Sequence, residues 1–151
     1  MVMCNPPHQP TAPRETLDLA ARLDQIAVAL AWLEQLGERL AWPMRTTFAL
    51  TLSADEALTN IITYGLSGEV HADERIHLDC ATLPDQVVLR IEDGGPAFDP
   101  TAARPGALAE SLDEAGVGGH GLRLMLHYLR DLRYARESSR NVLTLVAALQ
   151  P

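Results

Sequence analysis

The sequence contains no lysine, so all of its 12 basic residues are arginine. That absence excludes a P-loop lysine, a Schiff-base enzyme and the lysine that eukaryotic-type protein kinases set on ATP phosphates. Basic charge of any kind is scarce: 20 acidic residues outnumber it, for a formal net charge of −8. Broad nucleic-acid binding and attachment to an anionic membrane both need a basic surface and are disfavoured. Two cysteines, Cys4 and Cys80, are too few for a disulfide framework or a four-cysteine zinc site. No apolar run approaches 18 residues, and no basic-then-apolar leader opens the chain. What is present is a chain of 151 residues, 47% hydrophobic and 21% charged, which suits one soluble, cytoplasmic domain with a proper core.

Residues 1–14 carry four prolines without periodicity and read as a disordered tail, leaving 15–151 as a single domain. A short strand is expected over Thr16–Ala20. Leu23, Ile26, Leu30, Leu33, Leu36 and Leu40 recur at three and four, the stripe of a helix running to Ala41. Pro43 breaks it and opens a second helix that runs to Tyr64 and stops at Gly65. Ile76–Cys80 and Gln86–Ile91 read as antiparallel strands around a turn at Leu83-Pro84-Asp85. Residues 94–118 hold three prolines and five glycines, with at most a short helical piece at Ala107–Leu112. A helix resumes at Gly119 and runs to about Asp131. Two strands close the chain, Leu132–Arg136 and Val142–Leu149, separated by Glu137–Asn141. The order is that of an α+β fold.

Three segments carry candidate chemistry. In the second helix Glu56, Asn60 and Thr63 fall on one narrow polar stripe, opposite Leu50, Ala54, Leu58, Ile61 and Ile62. A carboxylate one turn before a carboxamide can set a base and a metal-ligating oxygen on one wall. The second segment, Asp93-Gly94-Gly95-Pro96-Ala97-Phe98-Asp99-Pro100, follows an apolar strand, where glycine lets backbone approach a ligand closely. The third, Gly116–Leu122, ends a long loop and opens a helix, whose free N–H groups favour phosphate oxygens. Singly, each is matched by a plain alternative: an exposed helix face, a turn, a hinge. Cys80 reads as core, Trp32 and Trp42 as packing anchors, and the five histidines show no metal-ligand spacing.

In combination, Glu-x-x-x-Asn on a helix, Asp-x-Gly after a strand and a long loop ending in Gly-x-Gly-Leu resemble the GHKL ATPase superfamily. Gyrase, the heat-shock-90 chaperones, histidine kinases and mismatch-repair ATPases belong to it. Within it the likeness is greatest to the small anti-sigma-factor serine/threonine kinases of bacterial partner switching. The resemblance spans residues 15–150 and accounts for the missing lysine, since that ATP site does not depend on one. It implies a two-layer α/β sandwich, a mostly antiparallel sheet with helices on one face.

It also implies roles. Asn60 would ligate Mg²⁺ and Glu56 would act as general base. Asp93 would receive the adenine amino group of ATP, and Gly95 would let the base pack close. The Gly119-His120-Gly121-Leu122 box would bind phosphates through its backbone, and 99–118 would form the ATP lid. Two departures stand out: Tyr64 where many relatives have histidine, and Arg104 as the lid's one basic residue. The implied activity is a protein serine/threonine kinase and anti-sigma factor whose substrate is a small anti-sigma-factor antagonist presenting a serine or threonine. A sigma factor would be a further partner, and a homodimer is compatible with the family. The alternative on the same fold is a non-catalytic, ATP-gated protein-binding module. The ATP-binding half of a histidine kinase is disfavoured, because only His8 in the proline-rich tail precedes the domain.

Overall fold

The structure is a computed structural model that describes residues 13–66, 73–102 and 117–150, with backbone alone for 117–120. The tail up to residue 12, the helical piece expected at 107–112 and most of the lid, including Arg104, lie outside the described residues. Among the described residues five strands form one sheet: β1 (Arg14–Ala20), β2 (Arg75–Thr82), β3 (Gln86–Asp93), β4 (Asp131–Glu137) and β5 (Arg140–Ala148). Their order is β1-β2-β3-β5-β4, with every pairing antiparallel. Among the described residues the α-helices are α1 (Ile26–Arg39), α2 (Met44–Asn60) and α3 (Val117–Tyr128), with a 3-10 turn, Leu23–Gln25, leading into α1. This is the α+β two-layer sandwich expected from the sequence.

Alternation along the strands decides which face the helices cover. Ile76, Leu78 and Cys80 stand beside Leu89, Ile91 and Val87, and these beside Leu143, Leu145 and Ala147, all buried. The opposite face is mostly polar, although Val142 and Val146 of β5 are buried on it, and it carries the Arg14–Asp79 and Arg90–Glu92 ion pairs and a His77–Asp18 hydrogen bond. One strand face is therefore core and the other mostly solvent, the usual reading of a half-covered antiparallel sheet. Among the described residues, no helix is long and apolar enough to cross a membrane.

Helix α1 ends in a Schellman motif: Trp42 N–H bonds to Gly37 O at 2.8 Å, and Ala41, at φ 57°, takes the left-handed position. Trp42 is buried and donates its indole N–H to Thr82 Oγ1, so it anchors the α1–α2 corner. Pro43 is the N-cap of α2, and Thr46 Oγ1 donates to Ala148 O at 2.6 Å, pinning the first turn to the end of β5. Along α2, Leu50, Ala54 and Leu58 are fully buried. Burying one such leucine contributes about 1.5–3 kcal/mol, enough to hold the helix rigid beneath its polar edge.

Two boundaries differ from expectation in ways that matter for the site. The second helix is not α-helical to Tyr64: α2 ends at Asn60 and continues as one π turn, Ile61–Gly65, closed by Leu66 N–H to Ile61 O. That turn buries Leu66, which a regular helix stopping at Gly65 would not do by pattern alone. The last hairpin is tighter than the five-residue separator expected from Glu137–Asn141. Ser138 and Ser139 alone form the turn, both with positive φ (49° and 65°), and Asn141 lies inside β5. Ser-Ser carries none of the Asn-Gly signature of such a turn, so the pattern conceals it.

Candidate nucleotide site

The first wall of the site is the C-terminal half of α2. Glu56 and Asn60 are one turn apart and half-buried, and Asn60 Nδ2 donates to Glu56 Oε2 at 2.9 Å. Since a carboxylate only accepts, the amide nitrogen must face it. That orientation leaves Asn60 Oδ1 without a hydrogen bond among the described residues. Burial pushes the Glu56 carboxyl above its ordinary value; the Asn60 bond opposes this, and the neighbouring Asp55 charge adds to it. The third residue of the expected stripe, Thr63, lies in the π turn and is exposed.

Helix α3 supplies the roof over that wall. Gly121 is buried, and a Cβ built on it would overlap the Glu56 carboxylate carbon and both oxygens. No other residue type fits against Glu56 as it stands. Gly119 and His120 lie in the first four residues of α3, whose N–H groups have no partner within the helix. The His120 side chain lies outside the described set. Leu122 is half-buried beside Gly121.

The second wall is the end of β3. The inward alternation Val87, Leu89, Ile91 continues to Asp93, which is therefore buried on the helix-covered face. Its Oδ1 accepts the Gly95 N–H at 2.9 Å. Gly95 is buried against Leu66 and Asp93, with no room for a Cβ beside the Leu66 side chain. The Phe98 ring packs on Gly65. The π turn after Asn60 thus touches the loop after Asp93 at two points, and the walls predicted from separate motifs meet as one site.

Sequence reasoning missed Asn141, which this site depends on. It stands directly opposite Asp93 in the β3–β5 ladder and is 5% exposed. Its Nδ2 donates to Asp93 Oδ1 at 3.0 Å and to Pro96 O at 2.8 Å. Its Oδ1 accepts from Phe98 N–H at 3.1 Å and from the Tyr134 hydroxyl. Arg136 adds a bond from Nη1 to Gly95 O at 2.7 Å. Strand alternation carried back from Ala147, Leu145 and Leu143 would have pointed inward at residue 141.

Among the described residues, no three His, Cys, Asp or Glu side chains gather to hold a metal ion. The donor chemistry still fits Mg²⁺ brought with a polyphosphate, which needs only one or two protein oxygens. The amide oxygen of Asn60, left free by the bond to Glu56, is such a donor. Cys80 has no part in the site: it is buried in β2, and burial pushes its thiol up to about 12.

Comparison with known proteins places the chain in a family. The family model described as a histidine kinase-like ATPase domain matches residues 19–147. The serine/threonine-protein kinase BtrW of Bordetella bronchiseptica is 43% identical over 137 residues, covering 91% of this chain and 95% of its own. Among solved structures, the Acinetobacter baumannii histidine kinase AdeS covers 95% of this chain and 71% of its own at 14% identity, with a TM-score of 0.47. The matched span, residues 19–147, takes in Glu56, Asn60, Asp93 and Gly121. The chain belongs to the histidine kinase-like ATPase domain family, the nucleotide-binding fold that its three motifs indicate.

Proposed function

We propose that this chain is an ATP-dependent protein serine/threonine kinase of the partner-switching type. Its substrate would be a small anti-sigma-factor antagonist presenting a serine or threonine, and its regulatory partner a sigma factor held in the cytoplasm. The observation that carries the kinase reading is the Glu56–Asn60 pair roofed by Gly121. The kinase named above, 43% identical over nearly its whole length, supports the same reading.

In this reading Asp93 accepts the adenine amino group, Gly95 admits the base, and the N–H groups opening α3 meet phosphate oxygens. Asn60 would hold Mg²⁺ through Oδ1, and the bound ion would offset triphosphate charge in these acidic surroundings. Glu56 takes the proton from the attacking hydroxyl as the γ-phosphoryl group transfers in line. Its raised pKa makes it a stronger base than an exposed glutamate, and Asn60 fixes its orientation.

Calorimetry with ATP, with and without Mg²⁺, tests the nucleotide half of this reading. The wild-type protein should bind ATP with Mg²⁺ dependence, and Asp93→Asn should largely abolish binding. Affinity unchanged by Asp93→Asn would overturn the assignment of the adenine site.

A further inference from the structure

We propose, resting on the reading of Asp93 as the base acceptor, that Asn141 is the positioning residue that makes this site select a 6-amino purine over a 6-oxo purine. A primary amide offers two donor hydrogens and two acceptor lone pairs. All four are engaged in Asn141: Nδ2 with Asp93 Oδ1 and Pro96 O, Oδ1 with the Phe98 N–H and the Tyr134 hydroxyl. The amide cannot flip or turn without breaking several buried hydrogen bonds at once.

The consequence falls on Asp93. Its Oδ1 takes both Asn141 Nδ2 and the Gly95 N–H, while Oδ2 takes no hydrogen bond among the described residues. A carboxylate pinned in this way presents one acceptor oxygen and no donor. An exocyclic amino group pairs with that oxygen. A 6-oxo group in the same place sets two acceptors against each other, and in a buried site such a mismatch is costly. The loop cannot compensate by turning a peptide N–H toward the base: the Gly95 N–H is held by Asp93 Oδ1, Pro96 carries no N–H, and Asn141 holds the carbonyl of the Pro96–Ala97 peptide.

The test compares affinities for ATP and inosine triphosphate, by calorimetry with Mg²⁺, in wild type, Asn141→Ala, Asn141→Thr and Tyr134→Phe. Wild type should prefer ATP by roughly 10²-fold or more. Asn141→Ala should lower that ratio by about tenfold, the loss of one oriented hydrogen bond. Asn141→Thr, whose hydroxyl can donate to Asp93 Oδ1, should restore most of it. A purely structural role would weaken both nucleotides alike and leave the ratio unchanged, and that result in folded Asn141→Ala overturns the inference. If Asn141→Ala does not fold, Tyr134→Phe decides. It frees one side of the amide and should lower the ratio several-fold, whereas an unchanged ratio again overturns the inference. A wild-type protein that binds ATP and inosine triphosphate equally contradicts the Asp93 reading itself, which distinguishes the two failures.

Discussion

Gly121 of α3 lies so close to Glu56 on α2 that a Cβ would fall 2.0–2.4 Å from the carboxylate carbon and both its oxygens. The two residues are 65 apart in sequence, and their contact couples the helix that follows the lid to the candidate base. The obstructed group is the tip of a flexible side chain, so an added methyl moves the carboxylate and not the helix. Gly121→Ala should therefore fold, with stability within about 1 kcal/mol of wild type, because alanine's helix propensity offsets the crowding. The displaced Glu56 loses its bond to Asn60, and phosphoryl transfer should fall at least tenfold. Thermal unfolding beside a transfer assay checks this. Full activity in a folded Gly121→Ala protein would show that the contact has no functional weight.

The raised pKa of Glu56 has a defined sign in stability. Folded, the carboxyl holds its proton more tightly than it does unfolded, so the folded state binds more protons across that window. Stability from this group therefore falls as pH rises from the ordinary glutamate value through the raised one, and the cost is complete above it. Glu56→Gln removes the charge and keeps an acceptor for Asn60. It should be more stable than wild type near about pH 8, with the difference fading near about pH 4. Equal melting-temperature differences at both pH values would contradict this.

The Ser138-Ser139 turn sets the β4–β5 register that pairs Arg136 with Asn141, and it does so with two non-glycine residues at positive φ. A left-handed residue with a Cβ costs about 1–2 kcal/mol, part of which glycine's greater unfolded freedom offsets. Ser139→Gly should stabilise the protein by about 0.5–1 kcal/mol without moving the strands. Chemical denaturation measures it; a destabilised variant would mean that the serine side chain makes up for its backbone.

Glu56, Asn60, Asp93, Gly95 and Gly121 can be singled out in the sequence because three short patterns, each weak alone, occur in the order found in the ATPase superfamily that they resemble. The strands are legible directly: the alternation at Ile76-His77-Leu78 and Gln86–Ile91 marks a half-covered sheet. The π turn is not legible, because Ile61–Gly65 has the composition of any helix end, and only the packing of Leu66 and Phe98 around Gly65 and Gly95 distinguishes it. Asn141 is hidden for another reason. Its importance lies in register with a residue 48 positions earlier on another strand, and the unmarked Ser138-Ser139 turn just before it conceals that it lies inside β5.

The central claim is that Glu56 and Asn60, joined by one hydrogen bond, hold different parts in phosphoryl transfer. It is tested most directly by transfer of labelled γ-phosphate to a serine-bearing antagonist domain, run beside ATP binding, for wild type, Glu56→Ala and Asn60→Ala. Glu56→Ala should bind ATP within a few fold of wild type and lose transfer by ~10²–10⁴, the range for loss of a general base. Asn60→Ala should weaken Mg²⁺-dependent ATP binding itself. Transfer by Glu56→Ala at the wild-type rate would contradict the assignment of the base, and a wild-type protein that binds ATP yet phosphorylates no cognate partner would contradict the kinase.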